Sequence, residues 1–174
     1  PENPARRPVG KIRVNRQHME SSVGRGRRQM IELTRRHDWR EHYEAAIDEI
    51  RFTPFAWGTH DCGPSLAGRL VKALTGEDLA ANYAGSYSDP LGAVRIIREA
   101  GFASLGEMVA SMLPVGHPSE AQIGDIAAIK EDGPIGHFLG VVNGERIYVL
   151  TKRGIGTVDL LDAEMIFKVG RPDA

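Results

Sequence analysis

The sequence predicts an α+β fold in which helices pack on one side of a small antiparallel sheet or half-barrel. Apolar residues recur at helical spacing between residues 39 and 112. The second half instead carries short runs rich in Val and Ile, separated by turn signals. The pair Asn143-Gly144 lies between two such runs and is typical of a hairpin turn. Helices followed by antiparallel strands are typical of α+β domains.

Four helices are predicted from capping residues and apolar spacing. They begin at Asp38, near Cys62, at Asp89 and at Ser104. Pro54 ends the first, Gly76 stops the second after Leu74, and Gly101 follows the third. Five strands are predicted in the second half, at residues 125–130, 137–143, 146–150, 157–160 and 165–169.

The first 36 residues differ from the rest and are predicted to form a basic arm. Arginine and lysine outnumber acidic residues in this segment, apolar residues are sparse, and Pro and Gly interrupt any regular pattern. The arm is expected to be disordered or to order against a partner protein. The globular domain is then expected to occupy residues 37–174.

Composition limits the classes of partner. The net charge is −1, which gives no global attraction to nucleic acid or to anionic membranes. The tract Gly24–Arg28 could contact nucleic acid, but it lacks interleaved aromatic residues, so we do not expect this partner. No apolar run approaches the ~18 residues that span a bilayer, and no signal peptide is expected.

Cys62 is the only cysteine, and the sequence places it at the start of the second helix. Free N–H groups and the helix dipole at such a position favour a thiolate. The same N–H groups could bind the oxyanion that forms when the thiolate attacks a carbonyl. The alternative is that Cys62 is a small buried apolar residue.

His137 is the candidate base. It is predicted at the start of a strand, in the segment Gly136-His137-Phe138-Leu139. A cysteine at a helix start facing a histidine on a strand is the arrangement of papain-like hydrolases. Without Cys62, His137 would be read as an exposed histidine at a strand end.

The motifs together resemble the NlpC-type papain-like cysteine peptidases, in the branch associated with tail-tip proteins of phages and gene-transfer agents. The resemblance runs over roughly residues 39–169. The motifs are Trp57-Gly58, Asp61-Cys62, Gly124-Asp125 and the segment His137–Gly144.

The resemblance implies a cysteine hydrolase that cleaves amide bonds in the peptide stems of peptidoglycan, with Cys62 as nucleophile and His137 as base. Trp57, His60 and Asp61 would line the substrate cleft. It further implies a virion protein, made in the bacterial cytoplasm, that binds tail-tip hub or baseplate proteins through its basic arm. The alternative is a structural tail-tip subunit with the same fold and an inactive site.

The main departure from the family pattern concerns the residue that orients the imidazole. A polar third residue that orients the imidazole is expected on the strand after the base, where this chain has Leu150. Thr151 is the nearest polar substitute. No cofactor is expected, and a metal cluster of His60, Asp61, Cys62 and His137 is disfavoured because adjacent residues rarely converge on one ion.

Overall fold

The computed structural model describes residues 30–171. The helices are α1 (Trp39–Ile50), a π-helix π1 (Cys62–Gly68), α2 (Arg69–Thr75), α3 (Pro90–Glu99) and α4 (Leu105–Ala110). The strands are β1 (Val115–Gly116), β2 (Ile126–Lys130), β3 (His137–Asn143), β4 (Arg146–Thr151), β5 (Gly154–Asp159) and β6 (Ala163–Phe167). Short 3-10 turns occupy Pro118–Glu120 and Leu160–Asp162.

The six strands form one open sheet with the order β1-β6-β2-β3-β4-β5, and every neighbouring pair is antiparallel. The predicted α+β class is therefore confirmed. The predicted strands are all present, with β5 starting three residues earlier and β6 starting two residues earlier than expected. The two-residue β1 was not predicted, since so short a run carries no alternation.

Side chains alternate across the sheet and so build two cores. On one face of β2 and β3, Ala128, Leu139 and Val141 pack beneath the helices. On the other face, Ala127 and Val142 belong to a second apolar cluster. The helix-side core holds the elements that carry Cys62 and His137.

The second helix begins at Cys62 as predicted, but its first seven residues are a π-helix rather than an α-helix. The Leu66 N–H donates to the Asp61 carbonyl at 3.0 Å, five residues back. The α-helical continuation ends at Gly76, whose φ of 85° suits glycine. Leu66, Leu70 and Leu74 are fully buried, as their spacing predicted.

The helix caps agree with the sequence at two of three positions. Asp89 accepts a hydrogen bond from the Gly92 N–H, and Ser104 accepts one from the Glu107 N–H. The predicted capping box at Asp38 is wrong, because its side chain makes no cap hydrogen bond. Its carboxylate instead contacts the His42 ring at 3.1 Å.

The domain begins earlier than the predicted boundary after residue 36. Leu33 and Arg35 are buried, and Arg35 donates to the carbonyls of Val169 and Ile123 and to the Asp125 carboxylate. A basic residue in an otherwise basic segment gave no sequence signal for burial. The rest of the predicted arm, residues 1–29, lies outside the described residues.

Within residues 30–171, no helix combines the length and the apolar character that crossing a membrane requires.

Candidate active site

Cys62 lies at the point where the helix layer meets the sheet. It is the first residue of π1, it is partly exposed, and it packs against the helix-side core. The backbone N–H of Leu139, on β3, is near enough to its sulfur to lower the pKa of the thiol. The pairing of β3 with β4 begins only at Val141, so the Leu139 N–H lies beyond the paired part of this ladder.

Asp61 is held rigidly beside Cys62. It is 1% exposed, and its Oδ2 accepts hydrogen bonds from the Gly58 N–H at 2.8 Å and the Tyr87 hydroxyl at 2.5 Å. Its Oδ1 is buried without a partner. Gly58 has a φ of 74°, and a Cβ there would lie 1.7 Å from the Tyr87 carbonyl oxygen. The Trp-Gly motif therefore allows the close approach that brings Tyr87 to Asp61.

The environment of Cys62 favours the thiol, contrary to the thiolate expected from sequence. Burial, together with the negative charge of Asp61, raises the pKa of Cys62 to about 12. The N–H groups of Leu139 and of Cys62 itself act in the opposite direction but do not outweigh burial. The helix-terminus argument omitted this desolvation, which disfavours the charged form.

We therefore expect iodoacetamide to alkylate the free protein slowly at neutral pH. Because a raised pKa leaves little thiolate at pH 7, the rate should still be climbing above pH 9, where an ordinary thiol approaches its plateau. The measurement is the loss of free thiol against pH, with unfolded protein in urea as the control. A plateau reached below pH 8.5 in the folded protein would contradict the raised pKa of Cys62.

His137 is oriented by a carboxylate from another strand. Its Nε2 lies 2.6 Å from Glu164 Oε2, and its side chain is 12% exposed. Since an ionised carboxylate only accepts hydrogen bonds, Nε2 carries the proton and Nδ1 is the basic nitrogen. This Nδ1 is buried and has no hydrogen-bond partner. The hydrogen bond to His137 lowers the pKa of Glu164, which keeps the carboxylate ionised.

A β-bulge brings Glu164 to His137. Ala128 pairs with Met165, but the next residue, Ile129, pairs with Ala163. Glu164 is thus the extra residue between two paired positions, and its side chain escapes the strict alternation of the strand. Sequence reasoning missed Glu164 because it looked only at the strand after the base. The available signal was a charged residue inside the apolar run 163–167.

Cys62 and His137 approach the same region without a direct hydrogen bond between them in the part of the chain described. His137 and Leu139 project from the same face of β3, and Leu139 N–H reaches the Cys62 sulfur. The His137 ring packs on α4, since a Cβ at Gly106 would lie 2.8 Å from Nδ1. The distance of about 3–5 Å expected between the thiol and the imidazole stays a prediction.

Of the three residues predicted to line the substrate cleft, two lie beside Cys62 and one does not. Trp57 and Asp61 line an apolar cavity together with Cys62. His60 does not line it. This residue is 7% exposed, and burial and the positive charge of Arg69 lower its pKa. His60 therefore belongs to the loop framework rather than to the cleft.

Thr151 does not orient the imidazole. Its hydroxyl donates to the Gly154 carbonyl at 2.9 Å and accepts from the Arg153 N–H, so it stabilises the β4–β5 turn. Leu150 packs against the helix-side core. The polar position expected on β4 is thus apolar, and Glu164 of β6 contacts the ring instead.

Tyr87 is a site residue that the sequence did not reveal. Its hydroxyl donates to Asp61, and its pKa is raised by burial, by that hydrogen bond and by the neighbouring Asp61 and Cys62. It lies 26 residues from Asp61 in a loop, so no local pattern marks the contact. Among the described residues, no group of three or more His, Cys, Asp or Glu side chains is arranged to hold a metal ion.

Replacing Glu164 with glutamine is expected to change the tautomer of His137, because the ring loses the ionised carboxylate that fixes its proton on Nε2. Imidazole ¹⁵N NMR should report loss of the Nε2–H tautomer, which a merely structural role would not change. Glu77→Gln, at an exposed position, is the matched control. A retained Nε2–H tautomer in Glu164→Gln would remove Glu164 as the residue that orients the ring.

The fold and site define an α+β protein in which a cysteine at a helix start and a carboxylate-bound histidine occupy the helix side of an antiparallel sheet. The chain belongs to the family described as "Domain of unknown function (DUF6950)", whose model matches residues 34–169. This match begins one residue before Arg35, in agreement with the earlier domain boundary. No curated protein and no solved structure matches the chain.

Proposed function

We propose that this protein is a cysteine hydrolase of the papain-like NlpC type that cleaves amide bonds in cell-wall peptide stems. The observation that carries the proposal is the state of His137. Its Nε2 is bound to Glu164, while its Nδ1 is buried and unpartnered on the side of β3 that faces Cys62. A neutral imidazole in this tautomer is a general base that lacks only its proton donor.

In the proposed reaction the His137 ring turns from Gly106 toward Cys62, and Nδ1 takes the thiol proton. The sulfur attacks the scissile carbonyl carbon, and the backbone N–H of Cys62 binds the resulting oxyanion. The imidazolium then gives its proton to the leaving amine as the C–N bond breaks. Water, deprotonated by the same Nδ1, hydrolyses the thioester and regenerates the thiol.

The substrate class and setting come from the resemblance to the NlpC-type branch found with phage tails. On this proposal the chain is a tail-tip component that meets peptidoglycan at the cell surface. Its basic N-terminal segment binds a hub or baseplate protein, with arginine side chains pairing with carboxylates.

A structural tail-tip subunit with an inactive site is the second candidate. The observation that favours it is the protonated thiol. Burial and Asp61 raise the pKa of Cys62, and no described hydrogen bond links it to the base.

Release of peptides from purified peptidoglycan, followed by mass spectrometry, tests the proposal. The hydrolase should produce fragments with new amino termini within the stem peptide, and heat-denatured protein should produce none. Absence of release by folded protein would contradict the hydrolase and favour the structural subunit.

A further inference from the structure

The two nitrogens of the His137 ring contact different elements of the fold. Nε2 lies 2.6 Å from the Glu164 carboxylate of β6. Nδ1 lies against the first turn of α4, since a Cβ built on Gly106 would be 2.8 Å from Nδ1 and 3.0 Å from Cγ. The carboxylate therefore fixes one nitrogen, and the backbone of a short helix covers the other.

The first turn of α4 is attached to the chain that leads into His137. The Leu105 N–H donates to the Ile135 carbonyl at 2.9 Å. Gly136 has a φ of 76°, and a Cβ there would lie 2.8 Å from the Ser104 Cβ. Glycine at this position thus permits a close approach of the two backbones. The helix cannot move away from the His137 ring without losing the backbone hydrogen bond.

A methyl group at position 106 would meet two side chains. The Met165 Cε would be 2.6 Å away and the His137 Nδ1 2.8 Å away. Met165 can yield, because Cε is the end of a flexible, unbranched side chain. The ring has less freedom, since Glu164 holds it at Nε2. The absence of a side chain at Gly106 is therefore what allows Nδ1 to lie against α4.

We propose that Gly106 is a positioning residue for His137, whose ring rests with Nδ1 against α4 because position 106 has no side chain. Its catalytic role rests on the proposed function, in which the ring leaves this resting position to take the Cys62 proton. In the resting position Nδ1 is buried and has no hydrogen-bond partner. Since a buried acceptor without a donor is costly, the ring gains a hydrogen bond when it turns toward a donor such as the thiol.

The experiment is imidazole ¹⁵N NMR of the full chain and of Gly106→Ala. Wild-type His137 should give an Nδ1 resonance typical of an unprotonated nitrogen that accepts no hydrogen bond. In Gly106→Ala the methyl group displaces the ring, Nδ1 acquires a donor, and its resonance should move upfield. A wild-type Nδ1 that already accepts a hydrogen bond, or an unchanged resonance in Gly106→Ala, would overturn the proposal. The wild-type measurement needs no variant, so it remains decisive even if Gly106→Ala is unstable.

Gly63→Ala is the matched control. It adds the same methyl group to a glycine in π1 beside Cys62, where the nearest atoms, Asp61 Oδ1 and the Tyr87 hydroxyl, would lie at 3.8 and 4.0 Å. These are ordinary contacts, so the Nδ1 resonance should not move. Equal shifts in Gly63→Ala and Gly106→Ala would overturn the specific role of position 106.

Repeating Gly106→Ala in a Met165→Ala background separates the two clashes. The shift of the Nδ1 resonance should persist, because the contact with the ring remains after the Met165 Cε is removed. Loss of the shift would show that the methyl group acts through Met165, and would overturn the proposal. These spectra do not depend on hydrolysis. If wild-type protein releases no peptides from peptidoglycan, the proposed hydrolase fails, while the spectra alone still decide the role of Gly106.

Discussion

Peptide release from peptidoglycan is expected to fall to background when Cys62 is replaced by alanine. Removing the nucleophile of a hydrolytic triad costs on the order of 10⁶ in kcat, because its partners then have nothing to activate. Cys62 is the only cysteine in the chain, so the variant contains no other thiol that could substitute. The assay is the mass-spectrometric release experiment with equal amounts of wild-type and variant protein.

Two controls make this result interpretable. Circular dichroism should be unchanged, since the side chain is only partly buried and its loss leaves a small space beside the apolar cavity. The thermal midpoint should change by no more than a few degrees, which separates loss of chemistry from loss of the fold. Release that continues in Cys62→Ala would show that another group attacks the substrate, and the proposed mechanism would be wrong.

Local patterns in the sequence were sufficient for the elements that carry the site. Asp89 and Ser104 cap helices with their own side chains, and Gly76 stops α2 with a positive φ, all through contacts within a few residues. Such contacts depend on the nearby sequence alone, so spacing and residue type reveal them. The placement of Cys62 at a helix start and of His137 at a strand start follows from the same local rules.

The electrostatic state of the site depends on long-range contacts and could not be predicted. Glu164 reaches His137 through a bulge between strands that are distant in sequence, and Tyr87 reaches Asp61 from a separate loop. The pKa of Cys62 is set mainly by desolvation, which depends on how the helices close over the sheet. The types and spacing of residues in the sequence do not reveal how closely the helices pack over the sheet at Cys62.

Unfolding free energy is expected to fall by about 3–5 kcal/mol when Arg35 is replaced by alanine, because the change leaves a buried carboxylate with one partner fewer. Arg35 is 1% exposed and lies 3.3 Å from Asp125, which is fully buried. Its guanidinium also stacks on Trp39 at 4.5 Å and donates to the carbonyls of Val169 and Ile123. The loss should appear as a lower urea midpoint and a thermal midpoint lower by roughly 6–20 °C.

The neighbouring Arg36 provides a matched control for that loss. Arg36 is 47% exposed and pairs with Asp38 at 3.8 Å, so Arg36→Ala should cost at most about 1 kcal/mol. A large difference between these adjacent arginines follows only if the chain enters the fold before residue 36. Arg35 then joins α1, through Trp39, to the segment that follows β6, through Val169. Equal and small effects of the two substitutions would place the segment before residue 37 outside the cooperative fold and restore the boundary expected from the sequence.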